Sequence, residues 1–184
     1  MRKIDENKRK QIQEAVYDLT QSDGLVGLSM GKVAKLAGVS PATIYIYYND
    51  KEDMLSRMYE QVKDLFDAGI TAEIDAAPTL VDKIRAAEWH FIKKFRQFPK
   101  QAVFMNAILN NESLVDQKAK HYADEMAEPV SQLFSQTQKD PEFMKMDAVV
   151  ATGFFSLPLQ LAQDGATDAQ LEQTIEMMIK VFKK

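Results

Sequence analysis

Cysteine is missing from the chain altogether. Its absence excludes disulfides, thiolate zinc sites and cysteine nucleophiles at once. It also suits a reducing compartment, so the expected location is the cytoplasm. Histidine is nearly as scarce: His90 and His121 are the only two in 184 residues. They form no H-E-x-x-H spacing, and no metal site is expected. Glycine (7) and proline (6) are too few for a loop-rich or fibrous chain. Long apolar runs are lacking too. The longest, residues 148–162, contains Pro158 and is too short to span a bilayer, so no membrane partner is expected. The charged opening MRKIDENKRK has no apolar stretch of the secretory kind. No G-x-S-x-G, Walker loop, zinc motif or dinucleotide fingerprint occurs. Neither an enzyme nor a bound cofactor is expected.

What the chain does have is helical periodicity and no alternating β pattern of useful length, which predicts an all-α fold of about nine helices. Its 46% hydrophobic content is enough for a substantial core. Ile12, Val16 and Leu19 mark a first helix that should stop near Asp23-Gly24. Ser29 caps a second, short helix with Val33, Leu36 and Ala37 on its apolar face, and Gly38 ends it. Ser40-Pro41 starts a third over residues 42–48, with proline at the position that loses no needed hydrogen bond. Asn49 or Asp50 caps a long fourth helix from about residue 51 to 74, roughly 36 Å at 1.5 Å per residue. Prolines and glycines divide the remainder. Helices are expected over 79–97, from Pro99 to Asn110-Asn111, over 114–138 with a break at Pro129, over 147–163, and from an Asp168 cap to the end.

The stretch GVSPATIYIYYNDKE crowds three tyrosines into four positions. The second helix, a Gly-containing turn and the third helix read as a helix-turn-helix, which sets its second helix in a DNA major groove. Ile44 and Tyr48, four apart, pack inward. Tyr45 and Tyr47 point elsewhere, with hydroxyls able to donate to phosphate and rings able to lie against sugar or a thymine methyl. Ser40 and Thr43 add short hydroxyl donors, and the helix starts at Ser29 and Lys51 offer backbone N–H groups to phosphate. Net charge is −4, but residues 1–51 carry eight Lys/Arg against six Asp/Glu, and residues 52–184 carry fifteen against twenty-one. A slightly basic head on an acidic body fits a small DNA-contacting end, although scattered charge would give so small an asymmetry as well.

GVSPATIYIYYNDKEDML resembles the TetR family of bacterial transcriptional regulators. That family's signature runs Gly-Val-Ser, two variable residues, Thr-hydrophobic-Tyr, a variable residue, His or Tyr, Phe or Tyr, two variable residues, Lys-Glu, then Leu. Gly38, Val39, Ser40, Thr43, Ile44, Tyr45, Tyr47, Tyr48, Lys51, Glu52 and Leu55 fall in register, and upstream Ser29, Val33, Ala34 and Ala37 also fit. The likeness covers about residues 8–56, and Pro41-Ala42 departs from the more polar or glycine-containing pair of many members. It implies a helix-turn-helix domain over 1–50 and a ligand-binding, dimerising domain over 51–184. It also implies a homodimer on a palindromic double-stranded operator, released when a small molecule binds. By position it assigns Ser40, Pro41, Thr43, Tyr45, Tyr47 and Lys51 to DNA contact, with Ala42 and Ile46 near base edges.

Two further groups are candidates. Trp89, Phe91, Phe95, Phe104, Met105, Met126 and Phe155, with His90 as a polar member, could line a pocket for a largely apolar effector, or could simply be core. The nearly all-apolar helix over 147–163 needs cover on every side. The family pattern places the subunit interface there, on Val150, Phe154, Leu157 and Leu161 together with Leu171, Ile175, Met178 and Phe182 of the last helix. The expected function is a ligand-responsive repressor. The rival reading is a helical protein-interaction scaffold without DNA binding.

Overall fold

In a computed structural model of the chain, residues 5–184 are described. They are helical throughout, with one isolated β-bridge, Phe143–Lys183, and no strand among the described residues. The helices are α1 (Glu6–Gly27), α2 (Met30–Leu36), α3 (Pro41–Ile44), α4 (Lys51–Asp67), α5 (Ile70–Ala76), α6 (Leu80–Gln97), α7 (Pro99–Leu109), α8 (Gln117–Met126), α9 (Glu128–Lys139), α10 (Ala148–Gln163) and α11 (Asp168–Phe182), with a 3-10 turn at Glu112–Leu114. No helix of the described residues is long and apolar enough to cross a membrane.

The chain forms two compact units. The first holds the residues up to Lys63 together with Lys100–Ala123; the second holds Asp64–Pro99 and Asp124–Lys184. The expected division into 1–50 and 51–184 follows chain order, whereas the compact units do not, because α7 and most of α8 belong with the first three helices.

In the first unit, Asp5 caps α1 by accepting from Asn7 N at 3.0 Å and Lys8 N at 3.4 Å. Gly24 interrupts this helix with φ 68°, the left-handed value that suits glycine, so the chain turns at the expected place and then adds one more turn to Gly27. Ile12, Val16, Val33, Ile44, Tyr48, Leu55 and Met58 are buried in this unit, as are Phe104 and Ile108. Tyr17 stands edge-on to Phe104 at 5.5 Å. Burial raises the Tyr17 phenol pKa, helped by the nearby Glu14 charge.

The expected continuous helix over 51–74 is two helices, of which the end of the first and all of the other lie in the second unit. Gly69 takes φ 93° between α4 and α5, a conformation that ends an α-helix. Apolar spacing continues through the glycine, so periodicity alone does not reveal the stop. His90 fastens the break: its Nε2–H donates to the Phe66 carbonyl at 2.7 Å, and Nδ1 lies 2.9 Å from a Glu73 carboxylate oxygen. Expected residues 114–138 divide into α8 and α9, with Pro129 in the first turn of α9, where a missing N–H is harmless. Thr167, rather than Asp168, caps α11 in a reciprocal box with Gln170. Ile84, Ile92, Leu133, Leu171 and Ile175 form the centre of this core.

Candidate nucleic-acid interface

The geometry begins with two serine caps. Ser29 Oγ accepts from Lys32 N at 3.3 Å and starts α2; Ser40 Oγ accepts from Thr43 N at 3.2 Å and starts α3, with Pro41 at its first position. Between them Gly38 takes φ 67° and reverses the chain. The α2–turn–α3 unit is thus specified by two N-caps, one left-handed glycine and one N1 proline.

After Ile44 the helix tightens. Tyr47 N bonds to Ile44 O at 2.9 Å and Ile46 N to Thr43 O at 3.1 Å, while Tyr48 N keeps the α-type bond to Ile44 O at 3.0 Å. The regular part of α3 is therefore shorter than the expected 42–48, but residues 45–48 continue its turn. This sends the aromatics apart. Ile44 and Tyr48 are buried, and burial raises the Tyr48 phenol pKa. Tyr45 is 55% exposed and Ile46 44%. Ser40, Pro41 and Ala42 are exposed, and Thr43 is half-buried with its hydroxyl 2.9 Å from that of Ser40.

Tyr47 and Lys51, both assigned to DNA by position, have partners within the protein. The Tyr47 hydroxyl accepts from Asp5 N at 3.2 Å and donates to Asp5 O at 3.1 Å. The Lys51 ammonium donates to the carbonyls of Leu25 and Leu28, both at 2.8 Å, so it closes the chain between α1 and α2. Partial burial lowers its pKa from the ordinary lysine value. The start of α4 has its own lock: Asp50 accepts from Asp53 N at 2.8 Å, and Asp53 accepts from Asn49 N at 2.8 Å. Asp53 also holds Arg57 at 2.7 Å. Lys32 donates to Asp23 at 2.8 Å and to the Gly27 carbonyl at 2.9 Å, and the first of these hydrogen bonds lowers the Asp23 pKa. The pairings of Tyr47, Lys51 and Lys32 are not visible in sequence, because each joins residues whose meeting depends on how the chain packs, whereas those of Asp53 with Asn49 and Arg57 are local to the start of α4. The Asp50–Asp53 spacing has the form of a capping box.

The proposed pocket residues are dispersed. Phe104 and Met105 are buried in the first unit. In the second, His90 is buried at the α4–α5 break, Phe95 lies 5.0 Å from Phe66, and Phe91 stands edge-on to His90 at 5.3 Å. Trp89 Nε1 donates to Glu172 at 2.7 Å, and Glu172 also pairs with Arg85. Trp89, Phe91, Met126 and Phe155 are half-buried. A cavity of about 340 Å³ in this unit is lined by other, mostly polar residues, among them Thr71, Asp75, Lys83, Glu128 and Gln132. Glu88, which no sequence motif marks, is buried with one carboxylate oxygen lacking a hydrogen-bond partner, and burial holds its pKa well above the usual value. Among the described residues no three His, Asp or Glu side chains gather as a metal site would require.

Of the residues expected at a subunit interface, Leu171, Ile175, Met178 and Phe182 are buried within this chain, the last ringed by Phe154 and Phe155 at 5.7 and 5.5 Å. Phe154 and Leu161 are half-buried. Val150 and Leu157 are exposed, as are Val149, Met177 and Val181.

Two serine-capped helices about a left-handed glycine, with a short second helix exposing hydroxyls and aromatic edges, define a helix-turn-helix protein. Residues 12–58 match the model of the bacterial regulatory proteins of the tetR family. An uncharacterized HTH-type transcriptional regulator of Haemophilus influenzae is 30% identical over 97 residues, which are 51% of this chain and 52% of that protein. The match thus spans about half the length of that curated relative. Solved structures extend the likeness to the whole fold. A TetR family transcription regulator from Marinobacter aquaeolei VT8 superposes with a TM-score of 0.82 at 21% identity, covering 97% of each chain. A putative TetR family regulator from Vibrio parahaemolyticus gives 0.69 at 25% identity, covering 96% of this chain and 99% of that one. Residues 12–58 thus match the tetR family model, and the fold of the whole chain is that of solved TetR family regulators.

Proposed function

We propose that the protein binds a palindromic double-stranded operator as a homodimer and represses transcription until a small, largely apolar effector releases it. The observation that carries the reading is the exposed face of the α3 turn. Ala42, Tyr45 and Ile46 stand outside a core closed by Ile44 and Tyr48, and Ser40 and Thr43 present hydroxyls beside them. Ser29, Ser40, Thr43 and Tyr45 supply phosphate donors, while Pro41, Ala42 and Ile46 lie against base edges. Lys51 contributes positive charge at the start of α4 and, with two of its three N–H groups on Leu25 and Leu28, holds the α1–α2 turn in place.

Regulation requires two conformations, with the effector binding better to the form whose heads do not match the operator. Half-buried Trp89, Phe91, Met126 and Phe155 in the second unit support an apolar effector. Apolar side chains left exposed on α10 and α11, namely Val150, Leu157, Met177 and Val181, support a partner subunit covering that face. The test is a gel shift with DNA upstream of the protein's own gene, at stated salt, comparing the unaltered chain with Tyr45→Ala. Retarded DNA that the variant fails to retard supports the reading. Equal retardation by both removes α3 from the interface.

A further inference from the structure

Glu88 stands where α6 calls for an apolar side chain. Ile84 and Ile92 lie four residues to either side of it on the same helix face. Both are fully buried, and both belong to the apolar cluster that holds Ile70, Ile74 and Leu133. Glu88 is 3% exposed between them. Its Oε2 is sealed from solvent and has no hydrogen-bond partner among the described residues. Burial alone raises the carboxyl pKa well above the usual value, with no charged neighbour contributing. An acceptor buried in this way costs its lost hydration and returns nothing to the fold. His90, two positions on, shows the contrast. It is as deeply buried, yet both its ring nitrogens are engaged, at 2.7 Å to the Phe66 carbonyl and 2.9 Å to Glu73.

What Glu88 lacks is a donor, and a cation supplies the strongest one. A hydrogen bond from a cationic N–H to a carboxylate is roughly twice as strong as one between neutral groups. A cation alongside also restores the ionised form that burial disfavours. The surroundings define the rest of such a ligand. Trp89 and Phe91, one and three residues after Glu88 on α6, are half-buried and pack against the same apolar cluster. They suit an apolar body. Charge in this unit suits a cation rather than an anion. The cavity of about 340 Å³ is lined by three carboxylates, Asp75, Glu125 and Glu128, against the single cation Lys83. Ile74 and Leu133 of the apolar cluster line it as well.

We propose that Glu88 anchors the effector and that the effector is an apolar amine, its ammonium group paired with the Glu88 carboxylate. The inference rests on the ligand-responsive reading above and names the chemical class of that ligand. The free chain keeps the carboxyl protonated to higher pH than an exposed glutamate. The amine arrives as ammonium, Glu88 gives its proton to solvent, and the complex holds one carboxylate and one cation. Binding therefore tightens as pH rises toward the raised Glu88 value and levels off above it, as long as the amine stays protonated.

The experiment is calorimetric titration of the full chain with octylamine and with naphthylmethylamine, each beside the alcohol and the carboxylic acid of the same skeleton. On at least one skeleton the amine binds at least about tenfold more tightly than the alcohol, the advantage of a hydrogen bond to a charged group over a neutral one. Titrations in buffers of different ionisation heat show protons released on amine binding. Glu88→Gln keeps the shape and cannot ionise, and it loses both the amine preference and the proton release. The preferred amine also releases a duplex that the unaltered chain enriches from a random-sequence pool. Equal affinity for amine and alcohol on both skeletons, or an amine preference that survives Glu88→Gln, overturns the anchor and leaves the DNA-binding reading intact. Amine binding that depends on Glu88 but leaves the duplex bound overturns the effector role. A pool from which the unaltered chain enriches nothing removes the regulator reading, while the titrations still decide the site. Should Glu88→Gln fail to fold, amine binding to the unaltered chain without proton release overturns the pairing.

Discussion

At the residue scale, Tyr45, Tyr47 and Tyr48 share a side chain and differ in every consequence. Tyr48 is 3% exposed and is core, Tyr47 fastens Asp5, and Tyr45 alone presents its ring freely. Tyr45→Ala is therefore expected to weaken operator binding by about tenfold, a loss of the order of one good groove contact, with the thermal midpoint unchanged. Titration of operator DNA alongside a melting curve checks both halves. Glu88 makes a separate prediction, about stability. Its carboxyl pKa is raised in the folded chain by burial, from an ordinary 4.5. The folded state then keeps a proton that the unfolded state releases. The associated stability is fully present below about pH 4.5 and is lost as pH rises toward the folded value. Glu88→Gln, which cannot ionise, should flatten the fall of melting temperature as pH rises above about 4.5. Parallel pH profiles for the two proteins would contradict that account.

At the scale of elements, the helix-turn-helix depends on a few backbone positions. Gly38 sits at φ 67°, and a Cβ there would meet nothing within 4 Å, so substitution costs conformational strain alone. Gly38→Ala should destabilise the first unit by about 1–2 kcal/mol, the cost of a left-handed L-residue, read as a lower denaturant midpoint with unchanged slope. Lys51 stabilises through its two carbonyl acceptors, and Lys51→Met, which keeps the stem and removes the ammonium, should cost about 1.5–3 kcal/mol by the same measurement. An unchanged midpoint would mean that the Leu25 and Leu28 carbonyls find other donors. The helix starts at Ser29 and Ser40-Pro41 were legible in sequence because capping is local chemistry between residues two or three apart. The stop at Gly69 was not, because its apolar neighbours keep helical spacing across it and the stabilising partner, His90, comes from another helix.

At the scale of the whole molecule, the proposed dimer needs an apolar face that one chain leaves uncovered. Leu171, Ile175, Met178 and Phe182 form the obvious stripe of α11, yet all four are buried within one chain. The candidates for the partner face are the apolar side chains that remain outside, with Val150 51% and Leu157 45% exposed on α10. Val150→Glu combined with Leu157→Glu should yield a monomer by light scattering and, since two half-sites then bind independently, a loss of operator affinity with secondary structure retained. A dimer that persists moves the interface elsewhere. A stripe on a helical wheel says that a face will be covered, without saying whether the cover comes from the same chain.

The sequence by itself determined the helical class, the helix-turn-helix and the family likeness. All three rest on periodicity, caps and left-handed glycines, which act between residues within about one helical turn. Tertiary structure decided which phenol meets which partner, that Lys51 closes the α1–α2 turn, that Glu88 is buried, and which apolar stripe is covered inside the subunit. Those outcomes depend on contacts between residues tens of positions apart, and only the packing of helices brings such residues together.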